Sequence, residues 1–252
     1  MNYRLTIQYD GTDFHGWQVQ AMGLRTVQGE LQRALLVLEC KETIVHGAGR
    51  TDAGVHAIAQ VANVNLGREF ASGKLLSALN GNLPPDVRVI EVERVGDDFH
   101  ARFSARGKSY IYRIFNAPFR SPLWGRYAHW NARPLDLERM RRAAALFLGA
   151  HDWTPFSSAQ TDVTGSRVRT VMQLEIEERL VEHGRLITIS ISADGFLRYM
   201  VRSIAGTLIA VGLGAIDERQ IIWALETLDR TLAGATAPAC GLTLARVHYE
   251  KP

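Results

Sequence analysis

With 252 residues, 46% of them hydrophobic and 22% charged, the chain is long enough for one large domain or two small ones, each with its own core. Cys40 and Cys240 lie far apart and form no Cys-x-x-Cys pair, which excludes a zinc ribbon or a disulfide framework and fits a reducing cytosol. The net charge is only +3, yet 25 of the 29 basic residues are Arg. Arg favours bidentate phosphate contacts and stacking on flat rings, so this bias fits an RNA partner.

In chain order, Tyr3, Leu5, Ile7 and Tyr9 alternate with Arg4, Thr6 and Gln8, the period of a half-buried strand, with no signal peptide before it. A polar-aromatic loop follows over Thr12 to Gln18. Thr26 caps a helix expected to run to about Cys40, with Val27, Leu31, Leu35 and Leu38 on one stripe. A short strand is expected at Thr43 to Val45, another at Val61 to Leu66, a helix near Ser72 to Asn80 and a strand over Val87 to Val95. On the next strand Lys108, Tyr110 and Tyr112 share one face, with Ile111 and Phe115 on the other. A helix is expected from about Asp136 to Leu148. Met172, Leu174 and Ile176, then Ile187, Ile189 and Ile191, alternate with polar residues around Glu182-His183-Gly184, which reads as an antiparallel hairpin. Phe196 to Val211 reads as a helix on which Arg198 and Arg202, four apart, share a neighbouring face. A helix over Glu218 to Leu228 and a strand over Leu242 to Tyr249 close the chain. The longest apolar run, Ser203 to Ile216, is too short to span a bilayer.

Two stretches stand out chemically. From His46 to Ala57, three glycines and three alanines strip the backbone of bulk and leave one carboxylate, Asp52, beside Arg50 and Thr51. Such a stretch suits a tight loop presenting one side chain to a ligand; the alternative is a turn in which Asp52 only caps backbone N–H groups. It is not a P-loop, since no Lys-Ser/Thr follows the glycines. Asp52 with His56 supplies two metal ligands and no third. The second stretch, Phe99 to Leu135, holds no acidic residue, seven basic ones (Arg102, Arg106, Lys108, Arg113, Arg120, Arg126, Arg133) and nine aromatics. Cations that hold phosphates, interleaved with rings that stack on bases, are what a nucleic-acid surface needs.

Four stretches resemble the TruA family of tRNA pseudouridine synthases, in family order and nearly end to end. They are Tyr9-Asp10-Gly11-Thr12-Asp13-Phe14-His15-Gly16-Trp17-Gln18; Gly49-Arg50-Thr51-Asp52-Ala53-Gly54-Val55-His56-Ala57; Phe99-His100-Ala101-Arg102-Phe103-Ser104-Ala105 continuing to Lys108-Ser109-Tyr110-Ile111-Tyr112; and Phe196-Leu197-Arg198-Tyr199-Met200-Val201-Arg202. The resemblance implies an isomerase that converts uridine to pseudouridine at positions 38 to 40 of the tRNA anticodon stem-loop, without cofactor or metal. It implies Asp52 as the catalytic carboxylate, Tyr110 packed on the target uracil, Arg202 paired with Asp52, and Arg50 helping to turn the nucleotide out. Arg102, Arg106, Lys108 and Arg113 are the expected further tRNA contacts. The implied α+β fold is two ferredoxin-like halves forming a continuous, mainly antiparallel sheet with helices on one side and a central active-site cleft. The halves are expected at 1–104, carrying the catalytic loop, and 105–252. A cytoplasmic homodimer is implied as the tRNA-binding form, with no membrane association. Two rival readings of the same residues are a silent RNA-binding module, for which an anion in the cleft is a liability, and a nucleosidase, for which a second carboxylate is needed.

Overall fold

The computed structural model describes residues 1–20, 23–159 and 165–250. The chain divides into two compact units, Met1–Arg106 with Thr243–Pro252, and Gly107–Leu242. The described residues form a mixed α/β structure with five α-helices and mostly antiparallel strand pairing.

The first unit runs β1 (Asn2–Tyr9), α1 (Val27–Glu39), β2 (Val45–Gly47), β3 (His56–Asn65), α2 (Ser72–Asn82) and β4 (Val87–Val95). β3 lies antiparallel between β1 and β2, and β4 covers the other side of β1. This is the split β-α-β-β-α-β arrangement, in which each helix returns the chain to a strand with one other strand in between. The alternation expected in β1 is present: Tyr3, Leu5 and Ile7 are wholly buried. Thr26 accepts the Gly29 N–H at 3.2 Å to start α1, and Cys40, in left-handed conformation, ends it. Leu31 and Leu35 of α1 and Leu75 and Leu79 of α2 supply the facing core.

Strand positions near the bare loop depart from the sequence expectation. β2 begins at Val45 rather than ending there, and β3 starts at His56 rather than Val61. Most of β3 is buried on both faces, so its sequence shows no period of two. The closing strand β10 (Leu242–His248) lies parallel to the start of β3, with Thr243 opposite His56 and Leu244 opposite Ala57. The tail therefore belongs to the first unit: pairing, not chain order, decides membership.

The second unit contains β5 (Gly107–Asn116), β6 (His129–Asn131), α3 (Leu137–Ala145), β7 (Gly149–Asp152), β8 (Val168–Val181), β9 (Gly184–Ala193), α4 (Met200–Gly212) and α5 (Glu218–Thr227). Its strands lie in the order β6-β5-β9-β8-β7, antiparallel except for β6 against β5. The expected hairpin is present and longer than its alternating core, turning at His183 with positive φ. Met172 does not share the inward face of Leu174 and Ile176. A bulge between Val171 and Gln173 turns Met172 outward and puts Val171 in the core. α3 stops at Ala145 rather than Leu148, because Phe147 is drawn into an aromatic cluster with Trp153 and Phe156 and Gly149 opens β7. α4 starts at Met200, not Phe196, since Tyr199 adopts φ +66°.

Candidate active site

The carboxylate-bearing loop is held by the first of the four motif stretches. Gly11, Phe14, Gly16 and Trp17 all touch the segment 51–56. The Trp17 N–H donates to the Thr51 carbonyl at 3.0 Å, the Gly54 N–H to Phe14 at 3.3 Å, and the Gly11 N–H to His56 Nδ1 at 3.0 Å. The Tyr9 and Thr51 hydroxyls share a hydrogen bond of 2.8 Å beneath the loop. Burial pushes the Tyr9 hydroxyl pKa well above its usual value, so this group stays protonated.

Two glycines are dictated by close approach. A Cβ on Gly11 would sit 2.0 Å from the Val55 carbonyl oxygen, and one on Gly16, at φ +92°, would sit 2.6 Å from the Thr51 carbonyl oxygen. On the other side Gly47 lies flat against the Trp17 ring, where a Cβ would approach to 2.5 Å. The turn itself is closed by main chain: the Val55 N–H donates to the Asp52 carbonyl at 3.2 Å, and Gly54 takes φ +77°. Asp52 is half-buried and Arg50 exposed.

Arg25 braces this assembly from behind. Its guanidinium makes a two-pronged contact with Asp86 at 2.7 and 2.8 Å, donates from Nε to Glu30 at 3.0 Å, and lies 4.2 Å above the Phe14 ring. Neither Arg25 nor the Tyr9–Thr51 bond follows from the bare loop's sequence. The glycine and aromatic density of residues 9–17 marks that stretch as more than an ordinary turn, but it identifies neither contact.

Of the remaining sequence-derived candidates, Arg102 and Arg106 are exposed residues of the first unit. Lys108, Tyr110 and Arg113 lie on β5. Tyr110 is 7% exposed, with the Phe196 ring edge-on to it at 5.1 Å, so its ring is held in one orientation. Arg113 is half-buried, and burial together with the nearby Arg179 charge lowers its pKa. Tyr112, on the same face as Tyr110, is a core residue whose hydroxyl donates to the Pro238 carbonyl at 2.9 Å.

Arg198 and Arg202 do not share a helix face as expected. Arg198 precedes α4 in the turn that Tyr199 creates, and its carbonyl accepts the Ser158 N–H. Both guanidinium groups instead lie over the Tyr199 ring, at 4.9 and 5.0 Å. Arg202 also donates from Nε to the Ala237 carbonyl at 2.8 Å, which fixes the plane of its fork. Among the described residues no three His, Cys, Asp or Glu side chains are gathered as a metal centre needs.

A family model described as tRNA pseudouridine synthase matches residues 5–104 and 143–250. The protein called tRNA pseudouridine synthase A in Thermoanaerobacter sp. strain X514 is 43% identical over 248 residues, covering 98% of this chain and 99% of that one. Its counterpart in Ruminiclostridium cellulolyticum is 44% identical over 248 residues, covering 98% of each chain. The one in Maricaulis maris is 43% identical over 253 residues, covering 99% and 98%.

Proposed function

The chain belongs to the tRNA pseudouridine synthase family, and on that premise we propose that it isomerises uridine to pseudouridine at positions 38 to 40 of the tRNA anticodon stem-loop, with Asp52 as the catalytic carboxylate. The uracil N1–C1′ bond breaks, the base turns, and a C5–C1′ bond forms. C5 loses its proton and N1 gains one, so the reaction balances without an oxidant, reductant or group donor, and no cofactor is required. Asp52 serves this reaction as nucleophile or base.

The observation that carries the reading is the construction of the Asp52 loop. A whole motif of glycine and aromatic residues is spent on holding one carboxylate in a loop whose own side chains are small. A target base must leave its stack to react, which costs a few kcal/mol, and a bare loop leaves room for it. In this reading Tyr110, oriented by Phe196, packs on the uracil, and Arg50 helps turn the nucleotide out. Arg202 pairs with the carboxylate; its hydrogen bond to Ala237 uses Nε, and a carboxylate meets the terminal nitrogens of such a fork. Arg102, Arg106, Lys108 and Arg113 meet phosphates. The working form is a cytoplasmic homodimer of two-half subunits with ferredoxin-like halves.

The test is pseudouridine mapping in an unmodified tRNA transcript. The wild-type protein forms pseudouridine in the anticodon stem-loop; Asp52→Asn forms none while keeping tRNA affinity within about tenfold, the 1.4 kcal/mol scale. Undiminished turnover in Asp52→Asn removes the residue from its role. Release of free uracil in place of pseudouridine makes the protein a nucleosidase.

A further inference from the structure

Three rings stand in a column on the first unit that the proposed chemistry leaves unused. His46, on β2, has its ring centroid 4.9 Å from that of His100, and His100 lies 4.4 Å from Phe103. Phe103 ends the column and is 76% exposed, more than any other Phe, Tyr or Trp among the described residues. One exposed aromatic alone needs no explanation. Rigidity, charge and position set this one apart.

The turn that carries Phe103 is pinned from beneath. The Ala101 N–H donates to Asn63 Oδ1 at 2.9 Å, the Tyr249 hydroxyl to the Ala101 carbonyl at 2.9 Å, and Asn2 Nδ2 to the Phe99 carbonyl at 2.8 Å. Within the turn, the N–H groups of Arg102 and Phe103 point at His100 Nδ1, at 3.1 and 3.4 Å. Burial, reinforced by the neighbouring His46, lowers the His100 pKa and favours the neutral ring that can accept there. A phenyl ring is therefore presented to solvent on an anchored base, with one face against His100.

Its surroundings are cationic rather than apolar. Arg102 is adjacent and Arg106 follows; both are exposed, and neither makes an ion pair among the described residues. A protein-docking centre is an apolar patch depleted of charge, which this is not. An open ring face beside unneutralised guanidinium groups matches a nucleotide, whose base stacks while its phosphate meets the cation.

The column also stands on different parts of the fold from the Asp52 loop: His46 pairs with Asn63 near the far end of β3, whereas the loop rejoins that strand at His56, seven residues earlier. We propose that Phe103, backed by His100 and His46, is a stacking platform for an unpaired base of the RNA substrate other than the reacting one, with Arg102 and Arg106 holding its phosphates. This rests on the reading of the chain as a tRNA pseudouridine synthase.

Phe103→Leu keeps apolar bulk and removes the flat ring, and Phe103→Trp enlarges it. The Kd for an unmodified tRNA transcript at fixed salt should rise on the order of tenfold in Phe103→Leu and stay level or fall in Phe103→Trp. Pseudouridine formation at saturating tRNA should be unchanged in both. Wild-type affinity in Phe103→Leu, with pseudouridine still formed, overturns the platform and leaves the enzymatic reading standing. A shift in oligomeric state of the tRNA-free protein in Phe103→Leu, seen by ultracentrifugation, overturns it in favour of a protein contact. Failure of the wild-type protein to form pseudouridine overturns the enzymatic reading, and a stacking effect on Kd in that case still supports the platform.

Discussion

Tyr9 and Thr51 meet through hydroxyls that are almost inaccessible to solvent, and this contact is where a core residue of β1 reaches the side chain next to Asp52. Tyr9→Phe removes one partner and leaves the Thr51 hydroxyl buried with one bond fewer, a loss of about 1–3 kcal/mol. The expected result is a lowered kcat with little change in KM, because the carboxylate's support loosens while the tRNA-binding surface stays intact. The pKa direction adds a second readout. Burial raises the Tyr9 pKa, so the hydroxyl is protonated throughout the neutral and mildly alkaline range. The ratio of wild-type to Tyr9→Phe rates should therefore be flat between about pH 6 and pH 9. A ratio that changes across this window would mean that Tyr9 acts through its own ionisation.

At the scale of elements, the loops 10–18 and 48–55 behave as one unit, joined by backbone contacts that leave no space for a methyl group. Gly16→Ala forces both a left-handed φ and a collision with the Thr51 carbonyl. It should cost about 1–3 kcal/mol and lower the melting temperature together with the rate. Gly23→Ala is the control: it also has positive φ, at +68°, but nothing lies within 4 Å of its added Cβ, so only the conformational cost remains. Equal melting temperatures for the two variants would show that loop contact contributes nothing. The same scale explains why α4 starts late. A left-handed Tyr199 stops the helix from extending back, and so sets Arg198 and Arg202 over one aromatic ring rather than on one helical face.

For the molecule as a whole, the relevant quantity is how its cations are distributed. A net charge of +3 gives little steering in itself, but the acid-free run from Phe99 to Leu135 concentrates positive charge. If Arg102 and Arg106 meet phosphates, neutralising either with Gln should reduce the slope of log affinity against log salt by roughly 0.7 to 0.9. Arg113→Gln should change the slope less, because Arg113 is half-buried in β5 and so less open to a phosphate than Arg102 or Arg106. Slopes identical to wild type in the Arg102 and Arg106 variants would leave those residues as ordinary surface charge.

The sequence by itself determined the family motifs, the half-buried strand β1, the N-terminal cap of α1, the hairpin of β8 and β9, and the identity of the one carboxylate in the bare loop. These are local properties: a period of two, a side chain that bonds an N–H three residues on, a turn that needs glycine. Tertiary structure decided the rest. β3 begins at His56, earlier than its sequence announces, because burial on both of its faces erases the alternation. The tail joins the first unit because β10 finds a partner in β3, a pairing between residues nearly 190 positions apart. The Tyr9–Thr51 bond, the Arg25–Asp86 brace and the His46–His100–Phe103 column likewise join residues that chain order keeps apart. No local pattern encodes such contacts, since each exists only where the packed backbone brings two distant segments within reach.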